Sequence, residues 1–283
     1  MNLVKEILAK VEHLPAIPGV VQQVLAEASS PDFSYQRLME IIQVDPAITA
    51  HVLRICNSPY YGLRQKISSL KQALTLLGIN NIVDIVLTSE VVTFFRAPQD
   101  GYALNQGDLW RHCLATALLA QSMGEEQRFS EPATLFTAAL LHDVGKLILS
   151  QYVGDKFEKI QDLVRQKGLS FVEAERRVLG VDHAVLGGYV AKHWNFPDSI
   201  VRAIALHHDP NRARSDSELT RLVALANLVV VSVGVGGGAD GLAAPVAPGL
   251  LEKMGLAGKA LDHWVLRVKD VLDQAEDMLS MAN

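Results

Sequence analysis

The stretch Leu135-Phe136-Thr137-Ala138-Ala139-Leu140-Leu141-His142-Asp143-Val144-Gly145-Lys146 decides how the rest of the chain is read. Its first seven residues have the all-round apolarity of a helix inside a core, and the pattern predicts one helix from Pro132 to Gln151. An imidazole and a carboxylate set side by side in that run are costly to bury unless each is hydrogen-bonded, charge-paired or bound to a metal. The pair is therefore either an anchored polar network in the core or part of a site.

Outward from this point the periodicity is helical in both directions, and strand signals are scarce. Upstream, Val20, Val21, Val24 and Leu25 follow Pro18-Gly19 at helical spacing, as do Leu38, Ile41 and Ile42. Asp45-Pro46 is a helix start, since the carboxylate can accept free N–H groups and proline fits the first turn. The helix it opens ends near Asn57-Ser58-Pro59, and a further one from Ser69 stops at Gly78 before another from Asn81 to Val92. Residues 1–95 are thus read as an N-terminal helical bundle, 96–107 as a connecting loop with Pro98, Gly101 and Gly107, and 108–283 as a second multi-helix domain. In that second part the expected helices are Leu109–Met123, Phe157–Lys167, Ser170–Leu179, His183–Trp194, Asp198–His207, Ser217–Val231 and Leu261–Met281. Gly234 to Gly249 reads as a long Gly/Ala/Pro loop. The fold class is all-α.

Composition narrows the function classes. The 283 residues carry 31 Asp+Glu against 26 Lys+Arg, a net charge of −5, and 49% are hydrophobic. A disordered chain and a basic nucleic-acid binder are both disfavoured, and the short cluster Arg64, Lys66, Lys71 does not change that. The two cysteines, Cys56 and Cys113, form no disulfide or CxxC pattern, and residues 1–14 mix charge with apolar residues unlike an export signal. The apolar run Leu222–Val235 is shorter than the ~20 residues of a membrane span. These features predict a cytoplasmic protein with neither nucleic-acid nor membrane partners.

Several histidines fall in an order that suggests a site. Asp108 and His112 share a helix face, and His183 and the pair His207-His208 lie downstream of His142-Asp143. With Asp143, these imidazoles are ligands of the kind accepted by iron, manganese, nickel or zinc. His13, His51, His193 and His263 have no such pattern and read as structural or surface residues.

Leu141-His142-Asp143-Val144-Gly145-Lys146, with His112 upstream and His183, His207 and His208 downstream, resembles the signature of the HD superfamily of metal-dependent phosphohydrolases. Leu14-Pro15-Ala16-Ile17-Pro18, Asp45-Pro46-Ala47-Ile48-Thr49, Asn57-Ser58-Pro59-Tyr60-Tyr61 and the segment Ile67–Gly78 resemble one branch of it, the HDOD domain. Over roughly residues 10–230 the resemblance implies an all-α bacterial regulatory module, usually without demonstrated catalysis. It also implies a metal site of His112, His142, Asp143, His183, His207 and His208 holding one or two divalent transition-metal ions. Asp143 and Lys146 are the catalytic candidates, Lys146 as a phosphate-binding cation, and Asp108 and Asn227 are possible additional ligands.

Two departures separate the chain from its catalytic relatives. Asn227 stands where they close the site with an aspartate, which removes one anionic ligand. His207-His208-Asp209-Pro210-Asn211 lacks the following Gly-Tyr-Pro of the cyclic-dinucleotide phosphodiesterases called HD-GYP. The leading expectation is a signalling module that binds a protein partner or a small phosphate-bearing ligand. The alternatives are a metal-dependent phosphohydrolase acting on a phosphate ester, nucleotide or cyclic dinucleotide, and a scaffold with a metal-free polar core.

Overall fold

The structure is a computed structural model, and it describes residues 3–15, 17–28, 30–58, 61–63, 65–236, 238–239, 241, 249–254 and 258–281. Ala16, Pro59, Tyr60, Arg64, Gly237 and most of the expected loop at 234–249 lie outside the described residues. In chain order the helices are α1 (Leu3–Glu12), α2 (Gly19–Ala28), α3 (Tyr35–Gln43), α4 (Pro46–Cys56), α5 (Leu70–Phe95), α6 (Asp108–Glu126) and α7 (Pro132–Leu141). They continue as α8 (Lys146–Lys167), α9 (Phe171–Leu179), α10 (His183–His193), α11 (Asp198–Leu206), α12 (Ser217–Ser232), α13 (Leu250–Lys253) and α14 (Gly258–Met281). No strand occurs among the described residues beyond one isolated bridge, Gln99 with Leu104.

Local chemistry sets several boundaries where the sequence places them. Asp45 caps α4, its carboxylate accepting from the Ala47 and Ile48 amides at 2.8 and 3.3 Å. Ser69 caps α5, and Gly78 breaks that helix at φ +77°, a conformation that a side chain would strain. Ser170 and Glu173 close a capping box on α9.

The predicted helix from Pro132 to Gln151 is corrected by the structure. α7 stops at Leu141, and α8 begins at Lys146 and takes in the separately expected Phe157–Lys167 helix. Between them the backbone stays right-handed but its pairing tightens to i→i−3, with Val144 N bonded to Leu141 O and Lys146 N to Asp143 O. His142 and Asp143 therefore sit at a corner rather than inside a helix. The N-terminal segment, read only as not being an export signal, is helix α1.

One core runs through both expected domains. α1 packs on α8 and α10, and Tyr152 Oη donates to Glu6 at 3.2 Å. Trp194, at the end of α10, is buried against Phe94 of α5, donates from Nε1 to Pro15 O at 3.1 Å and accepts the Gln22 amide at its carbonyl. Such an indole anchors the N-terminal bundle by both area and direction. Two helical runs, Leu70–Phe95 and Pro132–Lys167, are long and apolar enough to cross a bilayer, but 83% of the most apolar window of the second is buried inside the fold.

Candidate metal centre

Two helices end at the same place and deliver the same device. α7 ends at Leu141 and α11 at Leu206, and in each case the next residue is a histidine whose Nδ1 bonds the carbonyl three residues back: His142 to Ala139 O and His207 to Ile204 O, both at 2.7 Å. A carbonyl only accepts, so both Nδ1 atoms carry the proton and satisfy terminal helix carbonyls. Each Nε2 is left with a lone pair on the other side of its ring. The carbonyl ends of two helices also bring partial negative charge to the spot, which favours a cation.

Asp143 and His208 follow those histidines directly. His112 comes from the second turn of α6, with Nδ1 on Val235 O at 3.0 Å, and His183 from the start of α10, with Nδ1 on a Glu175 carboxylate oxygen at 2.8 Å. Four rings are thus fixed from behind, with Nε2 inward. The space between them is built by a close approach: a Cβ on Gly145 would lie 2.0 Å from His183 O and 2.7 Å from Gly187 N, so only glycine lets the α7–α8 corner touch α10.

The inward atoms fall into two trios, each with its ligand atoms within 4.8 Å of one another: His112, His142 and Asp143, and His183, His207 and His208. Asp143 spans them. Its Oδ2 lies 3.3 Å from His112 Nε2, 3.4 Å from His142 Nε2 and 2.7 Å from Lys146 Nζ, while Oδ1 lies 3.4 Å from His183 Nε2 and 3.8 Å from His207 Nε2. All of these residues are buried except His208, which is half-buried at the edge.

Charge suits ligand roles at His112, His207 and His208, whereas His183 holds a proton that a metal must displace. Burial lowers the His112 pKa against the pull of Asp143, and burial with the neighbouring His142 pushes His207 well down; His208 is lowered by burial and by His207. These rings are neutral, as ligands must be. Burial opposes charge on His183 as well, but the Glu175 carboxylate outweighs it and raises that ring to about 9. Burial also disfavours the Asp143 anion, yet His142 and Lys146, with the contact from His112, hold its pKa well below the usual range.

The residues fit a metal. Asp143 Oδ1 and His207 Nε2 have no hydrogen-bond partner although both are buried. His112 Nε2 and His142 Nε2 face each other at 3.2 Å, and His183 Nε2 and His208 Nε2 at 2.9 Å. Between His112 and His142, both protonated at Nδ1, what relieves opposed lone pairs is a proton or a metal ion.

Not every expected residue joins. The Asp108 carboxylate accepts from Asn105 N and Nδ2 at 2.8 and 3.0 Å, which ties it to its own turn. Asn227 is buried on α12 with Oδ1 unpartnered, and none of the hydrogen bonds of the histidine cluster includes it.

Two residues that sequence reasoning passed over line the centre. Tyr102, from the segment expected to be a connecting loop, is fully buried: its hydroxyl donates to Glu175 at 2.5 Å, its ring edge meets His183, and Lys146 Nζ lies 5.3 Å from its centroid. Glu175 does have a sequence signal. It sits four residues from both Phe171 and Leu179, inside the apolar stripe of α9.

Comparison with known proteins places this geometry in context. The HDOD domain model matches residues 14–210. An HDOD domain protein of unknown function from Geobacter sulfurreducens superposes with a TM-score of 0.80 at 25% identity, covering 98% of this chain and 97% of that one. A candidate phosphohydrolase from Shewanella amazonensis superposes at 0.72 with 21% identity and 98% coverage of both chains. A candidate signal transduction protein from Marinobacter aquaeolei superposes at 0.71 with 20% identity, covering 94% of this chain and 60% of that one. An uncharacterized protein of Treponema pallidum is 19% identical over 234 residues, which are 81% of this chain and 44% of that protein. The chain thus spans less than half the length of that relative.

Proposed function

Because the chain belongs to the HDOD domain family, we propose that it is a bacterial regulatory module whose His–Asp centre holds a divalent transition metal and binds a signalling partner or a small phosphate-bearing ligand. The observation that carries this reading is the convergence of Nε2 atoms from His112, His142, His183 and His207, each ring fixed from behind, on Asp143. Iron, manganese, nickel and zinc all suit such a donor set. Asn227 leaves the centre one anion short of the catalytic pattern, and only His208 reaches partial exposure, which supports binding over turnover. The buried unpaired thiols Cys56 and Cys113 suit a reducing cytoplasm.

A second reading, a phosphohydrolase, draws on Lys146. Its ammonium lies beside Asp143 and is the group in the centre suited to a phosphoryl oxygen. A bound metal would supply Lewis acidity and a water of lowered pKa there.

Metal analysis of the purified protein beside a His207→Ala variant is the direct test. Near-stoichiometric transition metal in the parent, lost in the variant, is expected, with no hydrolysis of bis(p-nitrophenyl) phosphate above the metal-free rate. Metal-dependent hydrolysis abolished in His207→Ala would replace the binding module with the enzyme. Absence of metal after anaerobic preparation and reconstitution would sink both.

A further inference from the structure

The trios differ in what backs one ring: His207, like His112 and His142, stands against a backbone carbonyl, and His183 does not. Behind His112 and His142 stand backbone carbonyls, Val235 O and Ala139 O. Behind His183 stands a fully buried carboxylate, Glu175, which accepts twice from that one residue, from Nδ1 at 2.8 Å and from the backbone N at 3.1 Å. Its second oxygen is taken by the Tyr102 hydroxyl at 2.5 Å. A carboxylate in this position fixes the tautomer and makes Nε2 a stronger donor than a carbonyl does. The charge in front of the trios differs too. Lys146 Nζ lies 2.7 Å from Asp143 Oδ2, the oxygen that faces His112 and His142, whereas Oδ1, which faces His183 at 3.4 Å and His207 at 3.8 Å, has no hydrogen-bond partner. The ammonium is thus bound to the oxygen that serves the first trio, while its charge also reaches His183 and His208 of the second.

We infer that Glu175, held by Tyr102, is the positioning residue that makes His183, His207 and His208, with Asp143 Oδ1, the position filled first and most tightly by a transition metal. This rests on the reading of the centre as a metal site. Tyr102 reaches the pair from the segment between α5 and α6, so that segment is part of the centre and not a passive connection.

Titration with Co2+, followed by calorimetry and by the visible absorption of the bound ion, tests the inference. In the parent, a tight phase carrying the imidazole-type spectrum is expected. Glu175→Gln keeps the shape but removes the charge, and is expected to weaken that phase 10- to 100-fold and shift the spectrum. Its circular dichroism should stay parental. Tight binding unchanged in Glu175→Gln overturns the positioning role and leaves the metal reading intact. No Co2+ binding by the parent at all is the separate failure of the metal reading. Should Glu175→Gln not fold, Tyr102→Phe decides: loss of the hydroxyl that orients Glu175 is expected to weaken the tight phase several-fold, and an unchanged tight phase overturns the inference.

Discussion

Asp143 and Asp84 are both carboxylates buried inside apolar sequence, and they have opposite surroundings. Asp143 lies among four inward-facing imidazoles and an ammonium, and is held well below the ordinary carboxylate range. Asp84, in Ile82-Val83-Asp84-Ile85-Val86 of α5, accepts one hydrogen bond, from Gln121 Nε2 at 2.8 Å, and its other oxygen has no partner. Burial, with Glu125 adding to it and Gln121 only partly offsetting it, pushes the Asp84 carboxyl well up. Burial of a charge in an apolar run is the same sequence signal in both places. What separates a site from an isolated polar residue is convergence: unsatisfied donor atoms on several elements, each fixed from behind, sharing one space.

If convergence is what matters, the contact that creates it should be the most sensitive. Gly145→Ala places a methyl group onto backbone atoms of His183 and Gly187, which no rotamer change can relieve. The expected cost is about 3 kcal/mol or more, read as a lowered denaturation midpoint, together with lost metal binding. Gly19→Ala, where nothing lies within 4 Å, is the matched control and should change little. Equal effects at the two glycines would dissolve the contrast.

Next comes the charge itself. Asp143→Asn removes the anion that balances the buried Lys146 ammonium, and breaking one side of a buried pair costs about 3 kcal/mol. Adding Lys146→Met should restore a good part of that loss without restoring metal binding, as a double-mutant cycle would show. Stability independent of the Lys146 partner would mean that the anion is held by the imidazoles alone.

Much of this was legible in the residues, and the exceptions have physical reasons. Pro46, Asp45, Ser69 and Gly78 mark boundaries through capping and φ preferences that operate within a few residues. His142-Asp143 stood out because charge in an apolar run is expensive. The corner at 142–145 was not legible, because the apolar pattern continues through it and the backbone stays right-handed while only the hydrogen-bond spacing changes. Tyr102 could not be found from periodicity, since its segment has none; its role comes from contacts with residues 44 and 73 positions away, Lys146 and Glu175. Glu175 was findable as a charge in the apolar stripe of α9, and would have been read by the same rule that flags Asp84, which sequence alone cannot tell from it.

Asp84 offers the smallest effect and the sharpest contrast in sign. Its pKa is raised in the folded protein above the unfolded value of about 3.9, so the folded state holds the proton more tightly. Between the unfolded and folded values the native state therefore binds more protons than the unfolded one, and stability falls as pH rises through that window. Asp84→Asn keeps a group that accepts from Gln121 and removes the titration. The variant should match the parent near pH 4 and exceed it by about 1 kcal/mol at pH 8, with the difference opening as pH rises. At Asp143 the same Asp-to-Asn exchange is destabilising, because there the folded state favours the anion. A loss of stability in Asp84→Asn at pH 8 would mean that Asp84, too, is held as an anion, and the distinction between the two carboxylates would rest on geometry alone.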